Sequence, residues 1–169
     1  MSMLSIRAAT PRDREAIRRV EEQAFAQPAE AELVDTLVAA GDAVVELVAE
    51  DEGQIVGHIL FSRILVKNGK TEFPAVALAP LAVEPAFHGT GIGGALVREG
   101  HVRLKAAGET LSIVLGDPAY YGRFGYGRAR AVGFDSAYQG EALQALAWGV
   151  TPESGRLVYP SAFTTALAA

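Results

Sequence analysis

Residues 87–97 read FHGTGIGGALV, with four glycines among the six positions from Gly89 to Gly94 and an apolar run directly behind them. Glycines let backbone amides come close to an anion, and the first turn of a following helix adds unpaired N–H groups and the positive end of its dipole. The chemistry such a loop offers is phosphate binding, although the same glycines would also serve a tight turn that packs a helix onto a sheet. Gly89, Gly91 and Gly94 spell G-x-G-x-x-G, yet two nucleotide readings fall away. A P-loop needs Lys and then Ser or Thr after its last glycine, where this chain has Ala95 and Leu96. A dinucleotide turn leaves its strand almost at once, whereas Glu84 to His88 separate Val83 from the loop, and this unit lies mid-chain behind an antiparallel run. A second stretch able to do chemistry, DPAYYGRFGYGRA, starts at Asp117 and carries Tyr120, Tyr121 and Arg123. There is no cysteine, which excludes thiolate catalysis, disulfides and cysteine-based zinc sites, and the three histidines are too scattered to suggest a metal cluster.

Positioning these residues takes a mixed α/β frame. MLSIRAA, from Met3, alternates as a strand does, and TPRDREAIRRVEEQAF reads as a helix capped by Thr10, with Pro11 in its first turn and an apolar face of Ile17, Val20, Ala24 and Phe25. A second helix, AEAELVDTLVAA, stops near Gly41. From Ala43 the period changes to that of strands, in three runs whose last turn contains Asn68-Gly69, a hairpin signal. Gly57 and Pro80 inside these runs predict a bulge or a break in the ladder. Behind the glycine loop, Ile92, Ala95, Leu96, Gly100 and Leu104 form one helical stripe that Gly108 ends. The strand TLSIVLG after it must run parallel to the one ending at Val83, because a helix connects them. The remainder predicts one short helix and two or three strands. At 169 residues the chain is expected to form one domain over residues 1–169.

Taken together, LAPLAVEPAFHGTGIGGALV resembles the acetyl-CoA-binding motif of the GNAT acyltransferases, a strand followed by V-x-P and then Q/R-x-x-G-x-G/A. Val83, Pro85 and His88-Gly89-Thr90-Gly91-Ile92-Gly93 occupy that pattern, with His88 in place of the usual Gln or Arg. The Tyr-bearing stretch resembles the second signature of the family, and VLGDPAYYGRFGY with LVYPSAF resembles a branch of predicted bacterial acetyltransferases. The resemblance implies a GNAT-like mixed sheet with antiparallel N-terminal strands and one parallel βαβ crossover at the loop. It implies that the amides from Gly89 to Gly94, Ile92 included, hold the pyrophosphate of acetyl-CoA. Main-chain groups of Leu81, Ala82 and Val83 would hold the pantetheine arm in a gap between the two parallel strands. Tyr121 takes the position of a general acid facing the sulfur, with Tyr120 as its packing neighbour. Asp117 and Arg123 would be further cofactor contacts, Arg123 to a phosphate or as a partner of Asp117.

Acyl transfer to an amine needs a base, because an alkyl ammonium has a pKa of about 10.4. His58, Glu72 and Glu84 are candidates, and the residues alone do not choose among them. His101, on a charged helix, is expected to be exposed, and Glu21 and Glu22 to lie on a solvated helix face or to meet a cationic acceptor. A CoA-binding sensor without catalysis would share the loop and would not need Tyr121. The net charge of −5 removes the electrostatic drive for general nucleic-acid binding. No apolar run reaches the length of a spanning helix and no secretory signal is evident, so the expected location is cytoplasmic, as monomer or homodimer.

Overall fold

A computed structural model describes residues 4–167, in which the sheet order is β1-β2-β3-β4-β5-β7 with β8 paired to β3 and β6. The strands are β1 (Leu4–Ala8), β2 (Ala43–Asp51), β3 (Gln54–Asn68), β4 (Thr71–Val83), β5 (Leu111–Leu115), β6 (Phe134–Asp135), β7 (Leu143–Ala147) and β8 (Gly155–Val158). Helices are α1 (Arg14–Phe25), α2 (Ala29–Ala39), α3 (Ile92–Ala106), α4 (Pro118–Tyr121), α5 (Arg128–Ala131) and α6 (Ser161–Leu167). Met3, where the first strand was expected to begin, lies outside the described residues. The antiparallel start and the parallel β4–β5 crossover agree with the sequence reading. Two details differ. The β3–β4 turn is centred on Gly69-Lys70, since Asn68 still pairs with Thr71 and only Gly69 takes a positive φ. In addition, the stretch after β5, where the sequence predicts one short helix, carries three, α4, α5 and α6, each of two turns or fewer and too short to show a helical stripe.

Alternate strand residues face opposite sides, so each face of the sheet buries its own apolar set. On one side Leu60, Ile64, Ala77 and Ile113 pack with Ile17 and Val20 of α1, Leu33 and Leu37 of α2 and Phe163 of α6. On the other, Ile59, Phe61, Val76 and Leu78 pack with Ile92, Leu96, Val97 and Leu104 of α3. The middle of α3 is held close to the sheet because Gly100 packs directly against Phe61, and its first turns are held close because Ile92 and Leu96 pack on Gly57 of β3. A Cβ on Gly100 would come within 2.4 Å of the Phe61 ring.

β4 and β5 part company just past the middle of β4, near the end of β5, and local sequence explains why. Their pairing runs from Val76↔Ser112 to Leu78↔Val114 and then stops. Next on β4 come Ala79 and Pro80, where the β3–β4 register shifts between Ile59 and Phe61. Pro80 has no N–H to donate, and the bulge turns the strand. β5 is drawn the other way, since the Gly116 amide donates to the Ala142 carbonyl at 3.0 Å and Gln144 donates to the Gly116 carbonyl at 3.1 Å. β4 continues to Val83 bonded to β3 alone, which leaves a wedge-shaped gap on its other edge.

Candidate active site

The glycine loop follows this gap directly. A turn of 3-10 helix, Pro85–Phe87, leads into His88, and Gly89 and Gly91 both adopt left-handed φ, at 78° and 85°. Thr90 Oγ1 donates to the Phe87 carbonyl at 2.5 Å and closes the loop. Among the described residues the amides of Gly89, Thr90, Gly91, Ile92, Gly93 and Gly94 make no backbone hydrogen bond; the first to do so is Ala95, which donates to the Gly91 carbonyl at 3.0 Å. Six adjacent free donors at the start of a fifteen-residue helix are suited to holding an anion. His88 lines the cleft with its Nε2 engaged, donating to the Val83 carbonyl at 2.8 Å.

The cleft in front of the loop holds about 530 Å³ and is lined by Leu81, Val83, Phe87, Arg98, Tyr120 and Arg123 among others. Arg98 Cζ lies 5.1 Å from the Phe124 ring centre, and Arg123 Cζ lies 4.6 Å from that of Tyr120. Neither guanidinium forms an ion pair among the described residues. In a chain of net charge −5, these unpaired arginines beside free amides make this cleft locally positive. Arg98, Phe87 and Phe124 escaped the sequence reading. The signal for Arg98 was its place four residues after Gly94, one helical turn along the same face.

Along β4 the main chain offers a further donor. The Glu84 amide donates to the Val56 carbonyl of β3 at 2.8 Å, so in an antiparallel ladder Ala82 also turns its groups toward β3. Leu81 and Val83 then direct theirs into the gap. The Val83 carbonyl is taken by His88, while the Leu81 N–H faces the space where β4 and β5 separate. Ala82 places its side chain on the opposite face, 2% exposed.

Tyr120 and Tyr121 are close neighbours with different surroundings. Their rings meet edge to face with centres 5.0 Å apart. Tyr120 lines the cleft, and a Cβ on Gly93 would lie 2.7 Å from its hydroxyl. Tyr121 packs the Cε2–Cδ2 edge of its ring against Gly116 just beyond β5, and its ring centre lies 6.0 Å from that of Tyr126. Burial, with a small push from Tyr120, raises its phenol to about 12, so it stays protonated at neutral pH. Its hydroxyl makes no hydrogen bond among the described residues. Asp117 is placed outside the cleft: its carboxylate caps α4 by accepting from the Ala119 amide at 3.0 Å, and it does not pair with Arg123.

Of the candidate bases, His58 is fully buried between Glu21 of α1 (Nδ1 to Oε2, 2.6 Å) and Glu46 of β2 (Nε2 to Oε2, 2.8 Å), and Glu46 is held by Arg14 at 2.5 Å. Glu21, expected on a solvated face, is 0% exposed because α1 lies across β3 at this point. His101, expected to be exposed, is 7% exposed and hydrogen-bonded to the Tyr126 hydroxyl at 3.0 Å, which in turn pairs with Ser112 at 2.7 Å. Burial and the nearby Lys105 lower its pKa to about 4, so it is neutral. Glu84 faces Arg19 at 3.7 Å and Glu72 faces Lys67 at 3.5 Å. Among the described residues no group of three or more His, Asp or Glu could hold a metal.

This combination of split parallel strands, glycine loop and tyrosine-bearing helix can be set beside known proteins. The family described as acetyltransferase (GNAT) domain matches residues 5–129. The chain belongs to the GNAT family. A curated GNAT relative from Escherichia coli strain K12, "Uncharacterized N-acetyltransferase YhbS", is 37% identical over 142 residues, 79% of this chain and 84% of that protein. Among solved structures, a GNAT family acetyltransferase from Brucella melitensis in complex with acetyl-CoA superposes with a TM-score of 0.81 at 40% identity, over 95% of this chain and 98% of that one. YhbS from Escherichia coli in complex with CoA superposes with a TM-score of 0.87 at 31% identity, over 97% and 93%. The family and the branch agree with the sequence reading.

Backbone geometry makes one consequence testable at the loop. Gly91 needs φ of 85°, which a β-branched residue adopts only at a cost of about 1–3 kcal/mol, while its Cβ would point into open space. Gly91→Val is therefore expected to distort the loop without disturbing the core. Its CoA affinity should fall about 30-fold, equivalent to about 2 kcal/mol, with a thermal midpoint close to that of the parent. Calorimetric titration alongside thermal unfolding checks both; unchanged CoA affinity would remove the loop from the binding site.

Proposed function

We propose that this chain, as one domain over residues 1–169, transfers an acetyl group from acetyl-CoA to a primary amine. The carrying observation is the conjunction of six free amides at Gly89–Gly94 with a strand gap that opens beside the Leu81 N–H. The residues fit the cosubstrate: free amides and two unpaired arginines suit the phosphates, and the exposed edge of Leu81–Val83 suits an extended amide-bearing arm. Bound acetyl-CoA supplies a thioester, whose carbonyl carbon gains the amine nitrogen as the C–S bond breaks and sulfur leaves with the electron pair.

The residues around that bond have separable tasks. The Leu81 N–H, preorganised in the gap, donates to the carbonyl oxygen as negative charge builds there. Tyr121 keeps its phenolic proton and offers the O–H to the departing sulfur, which leaves as a thiolate and takes its proton from solvent. Because its pKa is about 12 and a thiol's is about 8.5, complete transfer is uphill, so the useful contribution is a hydrogen bond to the developing thiolate. The amine's surplus proton leaves to solvent, since His58 is enclosed by its two carboxylates and reaches no cleft. Tyr120 and Arg123 wall the arm and the phosphates. Asp117 holds α4 in place and supports the site through Tyr120 and Tyr121.

Release of free thiol from acetyl-CoA in the presence of a panel of primary amines, measured with CoA affinity, tests the reading. CoA binding with amine-dependent thiol release is expected. A sensor would bind CoA and release none; stabilisation by NAD with none by CoA would overturn the reading altogether. The proposed setting is cytoplasmic, as monomer or homodimer, with no nucleic-acid or membrane partner; among the described residues no helix is long and apolar enough to cross a membrane.

A further inference from the structure

A second, smaller cavity of about 90 Å³ lies on the other face of the same strand gap. Its floor is Ala77–Ala79 of β4 and Ile113–Leu115 of β5, so it spans the last two pairs, Ala77↔Ile113 and Leu78↔Val114, and the first residues beyond them, where the strands separate. Leu33 of α2, Phe163 of α6, Tyr138 and Tyr159 close it, with ring centres 5.4 Å apart for the two tyrosines and 5.7 Å for Tyr159 and Phe163. No lining residue is charged.

The order of residues along β4 says what reaches this cavity. Starting from the glycine loop, Val83 and Leu81 line the larger cleft, and Ala79, Leu78 and Ala77 line the smaller one. A molecule anchored by its phosphates at the loop and lying along β4 passes Leu81 first and meets the cavity with whatever extends beyond its thioester carbonyl. We infer that the cavity receives the tail of an acyl group longer than acetyl, so that the donors include short-chain acyl-CoA thioesters of about four to six carbons. This rests on the acyl-transfer reading above. The volume is about three times the share of one water in the liquid, which a methyl group leaves largely empty. An amine acceptor is the less suitable occupant. It arrives as an ammonium ion at neutral pH, and a cavity without a carboxylate would strip its hydration without replacing it.

Calorimetric titration of the intact protein with CoA, acetyl-CoA, butyryl-CoA and hexanoyl-CoA tests the inference without relying on turnover. Each buried methylene adds at most about fourfold in affinity, so butyryl-CoA is expected to bind about tenfold more tightly than acetyl-CoA. Leu115 is 40% exposed at the rim, where a larger side chain can enter the cavity without unpacking the core. Leu115→Trp should bring the butyryl-to-acetyl affinity ratio close to one. Tyr138→Ala should shift the optimum to a longer chain, a gain that general damage to the fold cannot imitate. Equal affinity for all acyl chains in the parent protein, or an unaltered ratio in Leu115→Trp, overturns the inference and leaves acetyl transfer standing. So does a Leu115→Trp variant whose only change is a higher KM for the amine, which would place an apolar part of the acceptor in the cavity. Failure to bind any of the four ligands would overturn the acyl-transfer reading itself.

Discussion

Tyr121→Phe is expected to slow turnover about 100-fold while leaving CoA affinity within about twofold of the parent. The ring lies against Gly116 and meets Tyr120 and Tyr126 edge on, and phenylalanine preserves all of those contacts. On the proposed mechanism, what is lost is one hydrogen-bond donor to the leaving sulfur. Acid–base groups typically contribute about 10²–10⁴-fold, and a thiolate that leaves fairly well unaided places this one at the low end. The phenol's pKa of about 12 argues the same way, since a weak acid stabilises the thiolate without fully protonating it. Tyr120→Phe should cost much less in turnover, because that hydroxyl sits beside Gly93 on the wall of the cleft. Steady-state rates and CoA dissociation constants for both variants separate the roles. Equal turnover of Tyr121→Phe and parent would leave unassisted thiolate departure as the mechanism, and a loss confined to affinity would make Tyr121 a binding residue.

The largest expected effect on stability belongs to His58. Two carboxylates and a guanidinium converge on or beside it: Glu21 and Glu46 on its two ring nitrogens, and Arg14 on Glu46. Removing one member of a buried charged network leaves the others uncompensated, at a typical cost of about 3–5 kcal/mol. His58→Ala is therefore expected to lower the unfolding free energy by about 3 kcal/mol or more in denaturant titrations. Adding Glu21→Met to His58→Leu should recover part of that loss, because an apolar pair strands no charge on this contact. An alanine variant as stable as the parent would show that the network contributes no net stability.

The same network sets a pH dependence. Burial pulls the His58 pKa down, but the hydrogen bonds and charges of Glu21 and Glu46 outweigh it and hold the pKa above 6.5. Glu21 is pushed up by burial against the pull of His58. For His58 the folded state keeps a proton that the unfolded chain has released above about pH 6.5. Stability from this source is thus fully present below that pH and is lost as pH rises through the folded pKa, at about 1.4 kcal/mol per pH unit. Melts of the parent between pH 6 and pH 9 should show the decline, and His58→Ala should flatten it. At the acidic end the sign reverses: Arg7 holds Asp13 far below the usual carboxylate range, and that contribution is lost as pH falls.

Much of this protein is written in short-range sequence. Amphipathic periods mark α1, α2 and α3, and the strand runs from Ala43 to Val83 announce the antiparallel frame. Pro80 removes an N–H whatever surrounds it, so the break in the β4 ladder was legible from one residue. The glycine loop was legible for a similar reason: positive φ and free amides at a helix start are local properties of the chain from Gly89 to Gly94. What the sequence by itself could not determine is which polar side chains end up inside. Glu21 and His58 are 37 positions apart and meet at 2.6 Å only because α1 crosses β3, and His101 is buried only because Tyr126 and Trp148 close over α3. Orientation was decided in the same way. Tyr120 and Tyr121 are adjacent in the chain, but the angle at which α4 leaves β5 turns the first toward the loop and the second against Gly116. The small cavity belongs wholly to the tertiary structure. Its walls come from β4, β5, α2, α6 and two loop tyrosines, and no period or motif encodes a volume formed where segments distant in the chain fail to fill space.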